Sequence, residues 1–369
     1  MRFLTADYLF PLNTDPIEKG VLQISNIGEV IRVFRNREMI PIDKLECFDG
    51  ILCPGFINAH CHLELSHLQG LFAKKKGFLD FLSIIEKRYD FQQHEILNAI
   101  ENAELEMIKN GIRGVGDVCN TTDTLTQKTN SNIQYYNFVE VFGVNDINTN
   151  RTINKAIKIR EDFRSAGMLS TISPHSAYSV TPNLMNEILR NFDKNDDLLS
   201  VHMQETNDEN NLFRNKKGSF YDWLIRLEAN PDIWEKRDSS LDAINDFKYK
   251  KTLLIHNTFT SVEEITDHYY CSCPKSNLLI EGSLPNYSIF NPDRLCVGTD
   301  SLASNNSLSI IEELQIIKEN SDFDLNTLLK IASKNGAEAL GFDSLGTFEK
   351  GKIPGVNAIS DFKVVKVVA

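Results

Sequence analysis

The sequence has no long apolar segment without charges. None of its runs reaches the roughly 18 apolar residues that a membrane-spanning helix needs, and its first 15 residues lack the pattern of a secretory signal. It also has no basic run: 39 lysines and arginines stand against 51 aspartates and glutamates, for a net charge of −12. These absences argue against a membrane or nucleic-acid partner, and they predict a cytoplasmic protein.

Cysteine is too sparse and too irregularly spaced for a disulfide framework. The seven cysteines are scattered and odd in number, which favours a reducing compartment. Cys271 and Cys273 are separated by one residue, unlike the Cys-x-x-Cys pair of a structural zinc site. The His-x-Glu and Pro-Cys-x-x-Cys signature of cytidine-type zinc deaminases is also absent. These two zinc-binding folds are therefore excluded.

What the sequence does contain is a regular alternation of strand-like and helix-like segments. Eight strand-like runs are predicted: Leu52–Ala59, Ile112–Val118, Gln134–Phe142, Met168–Ser173, Leu198–His202, Thr252–His256, Tyr269–Ser272 and Leu295–Thr299. Strands that alternate with helices form parallel sheets with crossover connections. Eight such units predict an α/β fold, a (β/α)8 TIM-type barrel, and a chain of 369 residues is long enough for it.

The two ends of the chain have a different pattern. Residues 1–50 contain short strands separated by turn residues, and residues 346–369 are also strand-like. We therefore expect both ends to pair into a small β subdomain beside a barrel formed by residues 51–345. Residues 203–251 form a long charged segment, which predicts a lid or an insertion, although the run 207–211 is equally consistent with a solvated loop.

Potential metal ligands fall at the carboxyl ends of the predicted strands. Five of the eight histidines and one aspartate occupy these positions: His60, His62, His175, His202, His256 and Asp300. Alternation along a strand places His60 and His62 on the same side, where two imidazoles can hold one divalent metal. Because the carboxyl ends of barrel strands meet at one rim, these side chains are expected to share one site.

Several of these motifs together resemble those of the amidohydrolase superfamily. They are the segment Pro54–His62, the pair His202-x-x-Glu205, the strand-end His256 and Gly298-Thr-Asp300. The similarity covers nearly the whole chain and is greatest to the mononuclear aminohydrolase branch of purine-type deaminases and chlorohydrolase-like proteins. Within that branch, the segment His60–Ser66 is similar to sequences labelled aminodeoxyfutalosine deaminase.

The resemblance implies a role for each of these residues. It implies that one divalent metal is bound by His60, His62, His202 and Asp300. Imidazole and carboxylate ligands favour Zn²⁺, while Fe²⁺ stays open. The catalytic residues would be Glu205, His256 and Asp300: Glu205 protonates a ring nitrogen, His256 contacts the attacking water or the developing oxygen, and Asp300 accepts a proton.

The resemblance also implies residues that contact the substrate. His175 resembles the substrate-binding histidine that follows the fourth strand, and Glu64, Ser66 and the segment 77–82 would lie over the mouth of the site. The tryptophan usual in this branch is missing from that segment. Asp117 and Glu140 also lie near strand ends, where a buried structural ion pair and a role in the site are both open.

The expected function is that of a metal-dependent hydrolytic deaminase acting on an amino-substituted heterocycle, with an adenine-type nucleoside preferred. A bound metal supplies hydroxide at neutral pH by lowering the pKa of its water to about 7. Two alternatives stay open: a hydrolase of cyclic amides (imidazolonepropionase-like) or of other C–N or C–Cl bonds, and a catalytically silent metal-binding protein. The expected partner is a small-molecule substrate, with a homodimer possible.

Overall fold

The computed structural model describes residues 1–72, 77–193, 198–244 and 251–369. The strands are β1 Arg2–Thr5, β2 Tyr8–Leu9, β3 Ile17–Glu18, β4 Val21–Ile24, β5 Val30–Phe34, β6 Leu45–Cys47, β7 Ile51–Pro54, β8 Phe56–Cys61, β9 Ile112–Cys119, β10 Gln134–Val141, β11 Leu169–Pro174, β12 Leu199–Met203, β13 Thr252–His256, β14 Tyr269–Ser272, β15 Leu295–Val297, β16 Val356–Ser360 and β17 Lys363–Val367. The α-helices are α1 Phe78–Glu86, α2 Gln93–Lys109, α3 Leu125–Thr129, α4 Thr149–Ser165, α5 Pro182–Arg190, α6 Asn207–Asn215, α7 Ser219–Arg226, α8 Ser240–Ala243, α9 Pro274–Ile280, α10 Ile310–Glu319, α11 Leu325–Leu329 and α12 Asn335–Leu340. A π-helical turn, Lys330–Lys334, joins the last two.

Strands β8 to β15 close into a parallel barrel. They form two four-stranded sheets, in the orders β11-β10-β9-β8 and β12-β13-β14-β15. Parallel bridges join the sheets at both edges: Cys61 pairs with Asp300, and Ser176 pairs with His202. α-Helices lie in every connection between successive barrel strands except that between β13 and β14, which contains only the 3-10 turn Val262–Glu264, and the predicted (β/α)8 barrel is confirmed.

Helices cover the barrel with their apolar faces. In α4, Ile153, Ala156 and Phe163 are buried and pack against the outer side of β10 and β11, as the helical spacing requires. Helix α5 begins where Thr181 accepts a hydrogen bond from the Leu184 backbone N–H, with Pro182 in the first turn. Such local signals determine where this helix begins.

Two further sheets lie beside the barrel. One contains only strands from the start of the chain, in the order β5-β4-β1-β6, and the other, β17-β16-β7-β2-β3, combines both ends. The predicted single strand 52–59 is wrong, because β7 belongs to this second sheet and β8 to the barrel. The two separate at Gly55, where a Cβ atom would lie 2.2 Å from Arg113 Cγ and 2.6 Å from the Pro354 carbonyl oxygen.

The segment 203–251 contains structured elements after β12. Helices α6, α7 and α8 occupy it, and its residues 245–250 lie outside the described part of the chain. The run 207–211, which could have been a solvated loop, begins α6, and Glu209 and Asn210 within it are buried. In the described ranges, none of the helices combines the length and apolar character needed to cross a membrane.

Candidate active site

Three histidines converge at the carboxyl end of the barrel. His60 and His62 lie at the end of β8, and His202 lies in β12 on the far side. The Nε2 atoms of His62 and His202 are 3.2 Å apart, and one ring nitrogen from each of the three residues falls within 4.8 Å of the others. Burial lowers the pKa of His62 to about 4, with the neighbouring His60 adding to the effect. The rings are therefore neutral near pH 7, as metal ligation requires.

Asp300 completes this group of side chains. Its Oδ1 lies 3.5 Å from the Nε2 atoms of both His60 and His62. Its Oδ2 accepts hydrogen bonds from the hydroxyls of Ser276, at 2.6 Å, and Ser304, at 2.5 Å. Burial alone would raise the pKa of Asp300, but the interaction with His60 and the other histidines holds it below its ordinary value. One oxygen is thus fixed by hydroxyls while the other faces the imidazoles.

The backbone around Asp300 is shaped to bring it there. Gly298 lies so close to β8 that a Cβ atom would be 2.7 Å from the carbonyl oxygen of His60. Asn58 and Thr299 exchange hydrogen bonds across the same junction, at 2.7 and 3.0 Å. Asp300 itself has a φ of 57°, and His256 one of 71°. Non-glycine residues rarely adopt this left-handed conformation, and such strain concentrates at functional sites.

The donor set fits a divalent cation. Within the described ranges, neither ring nitrogen of His60 has a hydrogen-bond partner, although both are buried. The same holds for Nε2 of His256. Buried polar atoms are almost always hydrogen-bonded, so these vacant nitrogens indicate a missing partner. Three imidazoles and a carboxylate around one point are ligands that suit Zn²⁺.

A second pair of groups lies beside the histidines. His256 Nδ1 lies 2.8 Å from Asn277 Oδ1, which orients the ring so that Nε2 comes within 3.6 Å of Glu205 Oε1. Glu205 is buried, and burial, followed by the charge of Asp300, raises its pKa well above the ordinary value. Glu205 therefore keeps its proton to a higher pH than an exposed glutamate does, next to an imidazole nitrogen that can accept a hydrogen bond.

These groups line a cavity of about 290 Å³. Its polar lining includes His62, His202, Glu205, His256 and Asp300. The remaining wall is largely apolar and aromatic: Leu65, Phe78, Phe81, Leu82, Ile85, Phe142, Tyr178, Trp223 and Leu227. A few polar groups in a mostly apolar cavity are typical of small-molecule sites, where the apolar walls bind a flat ring system.

Two helices from distant parts of the sequence form much of that wall. The ring centroids of Phe78, in α1, and Phe220, in α7, are 5.6 Å apart, and Tyr178 lies 4.8 Å from Phe220. Helix α7 also supplies Trp223 to the cavity. Part of the segment 203–251 therefore covers the site, as its length suggested.

The predicted substrate contacts divide into two groups. His175 lines the cavity and stacks on His202, with ring centroids 4.5 Å apart. Phe78, Phe81 and Leu82 of the segment 77–82 also line the cavity, in place of the missing tryptophan.

Glu64 and Ser66 require a correction, because neither lines the cavity. The carboxylate of Glu64 accepts hydrogen bonds from the backbone N–H groups of Asn120 and Thr121, at 3.0 and 3.1 Å, and from the Thr121 hydroxyl at 2.9 Å. Ser66 donates its hydroxyl to the carbonyl of Leu63, at 2.7 Å. Glu64 therefore ties the loop after β8 to the loop after β9, whereas the hydrogen bond of Ser66 stays within its own helical turn.

The two acidic residues with open roles also differ. Asp117 forms a buried ion pair with Lys128, at 2.5 Å, and accepts the Leu63 backbone N–H at 2.8 Å, so its role is structural. Glu140 lines the cavity instead. Burial raises the pKa of Glu140 to about 8.

Sequence reasoning missed several residues of the site. Arg88, Phe142 and Trp223 line the cavity. Asn277, which orients His256, belongs to the segment Cys273-Pro-Lys-Ser-Asn277, and the resemblance to the family's loop after the seventh strand had already indicated that this segment helps to close the pocket. Trp223 had no comparable signal, because its segment matched no motif.

Comparison with known proteins identifies the family. The profile of the Amidohydrolase family matches residues 51–369. This chain belongs to the amidohydrolase family. Amidohydrolases of this type use a divalent metal, in agreement with the histidine cluster described above.

Among characterised relatives, the chain is 26% identical over 324 residues to an adenosine deaminase of Helicobacter pylori, covering 84% of this chain and 79% of the relative. Among solved structures, it resembles a Helicobacter pylori aminofutalosine deaminase in complex with methylthio-coformycin, with a TM-score of 0.83, 23% identity, and coverage of 98% and 93%. It also resembles an adenosine deaminase from Xanthomonas campestris with bound zinc, with a TM-score of 0.74, 18% identity, and coverage of 97% and 85%. These two structures share the fold of this amidohydrolase.

Proposed function

We propose that this amidohydrolase is a hydrolytic deaminase of an adenine-type nucleoside. One observation carries the proposal: imidazole nitrogens without a hydrogen-bond partner lie beside Asp300 and next to the buried pair Glu205 and His256. The aromatic walls suit a purine ring. The names of the relatives from Helicobacter pylori and Xanthomonas campestris support the same chemistry.

One divalent metal, zinc, would be held by His60, His62, His202 and Asp300. When bound, it lowers the pKa of a water to about 7, which supplies a nucleophile at neutral pH. The neutral state of the imidazoles and the ionised state of Asp300 favour binding of such a cation. The zinc in the Xanthomonas campestris structure supports this choice of metal.

The chain's own residues handle the protons of the reaction. Asp300 accepts a proton from the attacking water, and Glu205 donates its proton to the ring nitrogen next to the attacked carbon. His256, held by Asn277, hydrogen-bonds the oxygen as it adds. The bond to the exocyclic nitrogen then breaks, and that nitrogen leaves as ammonia with one of the two water protons. The other water proton returns to Glu205 and replaces the one given to the ring nitrogen. Water and aminopurine become an oxopurine and ammonia.

Ammonia release tests this proposal. Zinc-loaded protein would be assayed with adenosine, methylthioadenosine, S-adenosylhomocysteine and aminodeoxyfutalosine, and also with adenine, guanine, and pterin and triazine amines. We expect release from at least one adenine nucleoside, with about one metal per chain, as a site of one cation implies. Silence from all nucleosides with metal bound would contradict the proposal, and hydrolysis of a cyclic amide would replace it.

A pair of histidine variants tests the ligand assignment. His202→Ala should lose the metal and the activity together, because one of three clustered imidazoles is removed. His94→Ala is the matched control, since His94 is exposed on α2 and far from any predicted ligand in sequence. Unchanged metal content in His202→Ala would show that the assignment is wrong.

A further inference from the structure

Glu209 is a buried acid that the proposed mechanism does not use. It lies in the first turn of α6, four residues after Glu205, and it is only 1% exposed. Its Oε1 accepts a hydrogen bond from the backbone N–H of Gln204 at 3.0 Å, so a side chain of the helix holds the turn that precedes the helix. Because Glu209 does not line the active-site cavity, any part that it has in the reaction is indirect.

The turn that Glu209 holds separates a proposed metal ligand from the proposed proton donor. Gln204 lies between His202 and Glu205, is fully buried and has a φ of 48°. A residue other than glycine rarely adopts this left-handed conformation, and it persists only where the surrounding structure enforces it. The contacts around Gln204 therefore determine the course of the backbone that enters Glu205.

The other polar groups of Gln204 are also engaged. Its Nε2 donates to Asn210 Oδ1 at 3.2 Å and to Glu264 Oε1 at 2.8 Å, and its Oε1 accepts a hydrogen bond from the Thr260 hydroxyl. Its carbonyl oxygen accepts the backbone N–H of Phe259 at 3.2 Å. The turn is thus tied to α6 on one side and to the loop after β13 on the other.

Glu205 itself has no such support. Within the described residues its carboxyl makes no hydrogen bond, and its separation of 3.6 Å from His256 Nε2 is too long for one. A side chain that no hydrogen bond orients takes its direction from its backbone and from packing. The backbone conformation at Gln204 therefore decides whether the Glu205 carboxyl points toward His256.

The metal ligand on the other side of the turn is held independently. His202 pairs with Ile255 in the register of β12 and β13, and its Nδ1 lies 3.1 Å from the carbonyl oxygen of His175. Loss of the Glu209 contact should therefore move Glu205 and leave His202 in place. This difference separates a role in positioning from a role in metal binding.

The contact between Glu209 and Gln204 does not depend on the charge of the acid. Burial raises the pKa of Glu209 to about 7, while hydrogen bonds from the Gln204 backbone, the Ser240 side chain and the Glu205 backbone act against that rise. A carboxyl group keeps an oxygen that can accept a hydrogen bond in either protonation state. A glutamine at position 209 should therefore preserve the contact.

We propose that Glu209 is a positioning residue for the proton donor, and that its hydrogen bond to the Gln204 backbone aims the Glu205 carboxyl at the substrate ring. This inference rests on the proposed function. It gives α6, at the start of the segment 203–251, a task in the reaction. Misplacement of a reacting group by about 1 Å can cost about 10²-fold in rate, so a contact outside the cavity can have a large effect on turnover.

Steady-state kinetics of zinc-loaded variants test this role. Glu209→Leu removes the acceptor, so kcat for ammonia release should fall about 10- to 100-fold, with KM within about 3-fold of wild type and zinc content unchanged. Glu209→Gln keeps an acceptor oxygen, and its kcat should stay within about 3-fold of wild type. Glu209→Asp withdraws the acceptor by one methylene, so it should resemble Glu209→Leu, and it takes the place of that variant if the leucine protein does not fold. A wild-type kcat in both, or loss of zinc, would overturn the proposal.

A double-mutant cycle separates positioning from general destabilisation. If Glu209 acts only through Glu205, Glu209→Leu should change the residual kcat of Glu205→Gln by less than about 3-fold. An equal loss in both backgrounds would contradict the proposal. Glu104→Leu is the matched control, because Glu104 is buried, accepts the Tyr135 hydroxyl at 2.6 Å and does not line the cavity. It should leave kcat within about 3-fold of wild type.

Crystal structures of the zinc-loaded variants provide a readout that does not depend on turnover. In Glu209→Leu, the Glu205 carboxyl should move away from His256 Nε2 by about 1 Å or more, whereas Glu209→Gln should keep its position. An unmoved carboxyl in Glu209→Leu would overturn the positioning role and leave the deaminase standing. A displaced carboxyl, in a protein whose wild type releases no ammonia from any nucleoside, would support the positioning role and remove the deaminase.

Discussion

Two buried polar clusters lie near the same end of the barrel, and they differ in one respect. In the lysine cluster (Asp117, Lys128 and Asn137), Lys128 Nζ lies 2.5 Å from Asp117 and 2.7 Å from Asn137, and Asp117 also accepts a backbone N–H. In the histidine cluster (His60, His62, His202, His256 and Asp300), buried ring nitrogens have no partner in the described ranges. Both clusters are buried, and hydrogen-bond satisfaction distinguishes the two.

The contrast assigns the two clusters different functions. A cluster whose donors and acceptors match is complete without a ligand, and it stabilises one arrangement of the chain. A cluster with vacant acceptors costs folding free energy until something binds there. The lysine cluster also contacts Leu63, immediately after His62, and so it supports the loop that the histidine cluster depends on.

The largest expected effect is on turnover. Glu205→Gln keeps the size of the side chain but removes the transferable proton, so the rate of ammonia release should fall about 10²- to 10⁴-fold. Metal content per chain should not change, because Glu205 is not among the proposed ligands. Glu104→Gln serves as the control, and full activity in Glu205→Gln would remove this residue from the mechanism.

The next effect concerns the lysine cluster. Lys128→Met removes one partner of a buried ion pair and leaves Asp117 uncompensated, so the free energy of unfolding should fall by about 3–5 kcal/mol. Urea denaturation of the metal-free protein would measure it. Arg237→Met is a control, because its ion pair with Glu235 is at the surface and should contribute at most about 1 kcal/mol. Equal losses of unfolding free energy in the two variants would contradict the expectation that a buried ion pair contributes more to stability than an exposed one.

Acid should change the stability of the metal-free protein through its buried histidines. It should leave Lys128 charged, because the Asp117 carboxylate raises the pKa of that lysine despite its burial. Burial lowers the pKa of His62 to about 4 and, with His62 nearby, that of His175 to about 3, whereas both are near 6.5 in the unfolded chain. Between the folded and the unfolded pKa values, the unfolded chain binds more protons than the folded chain. Each of these two histidines should therefore lower the free energy of unfolding of the metal-free protein by about 1.4 kcal/mol per pH unit as pH drops from about 6.5 to 4, while buried carboxyls of raised pKa, such as Glu140, contribute with the opposite sign.

A histidine variant and a surface control test that contribution. Arg237→Met should show the same slope with pH as wild type, because its ion pair with Glu235 lies at the surface. His62→Leu should show a smaller slope, since it removes one of the titrating groups. Equal slopes in His62→Leu and wild type would contradict the assignment.

The smallest effect is expected at His60 in the metal-free protein. His60→Leu deletes a buried ring that makes no hydrogen bond in the described ranges, so the free energy of unfolding should change by about 1 kcal/mol or less. Metal binding should be lost at the same time. A loss as large as that of Lys128→Met would mean that the vacant nitrogens are satisfied in the metal-free protein.

The sequence was sufficient for the barrel and for the residues that meet at its rim. The alternation of apolar strands and amphipathic helices has few solutions, and parallel strands place their carboxyl ends together. His60, His62, His202 and Asp300 could therefore be grouped without coordinates. The division of 52–59 into β7 and β8 could not be seen, because both halves are apolar and only the fold assigns them to different sheets.

Side chains on connecting loops were predicted less well. Glu64 follows the metal-binding motif and was assigned to the substrate, yet Asn120 and Thr121, more than fifty residues later, use both of its oxygens. Trp223 enters the cavity because α7 packs against α1 through Phe220 and Phe78. Such partners are distant in sequence, and no local pattern identifies them.

By itself, the sequence determined the barrel, its family and the identity of the clustered histidines, because these follow from periodicity and from motifs at strand ends. Only the tertiary structure decided which buried acids are satisfied: Asp117 by Lys128, Glu64 by the loop after β9, and Glu140 only in part. The physical reason is that a hydrogen bond depends on distances of a few tenths of an ångström between groups far apart in the chain, and only the packed fold sets those distances.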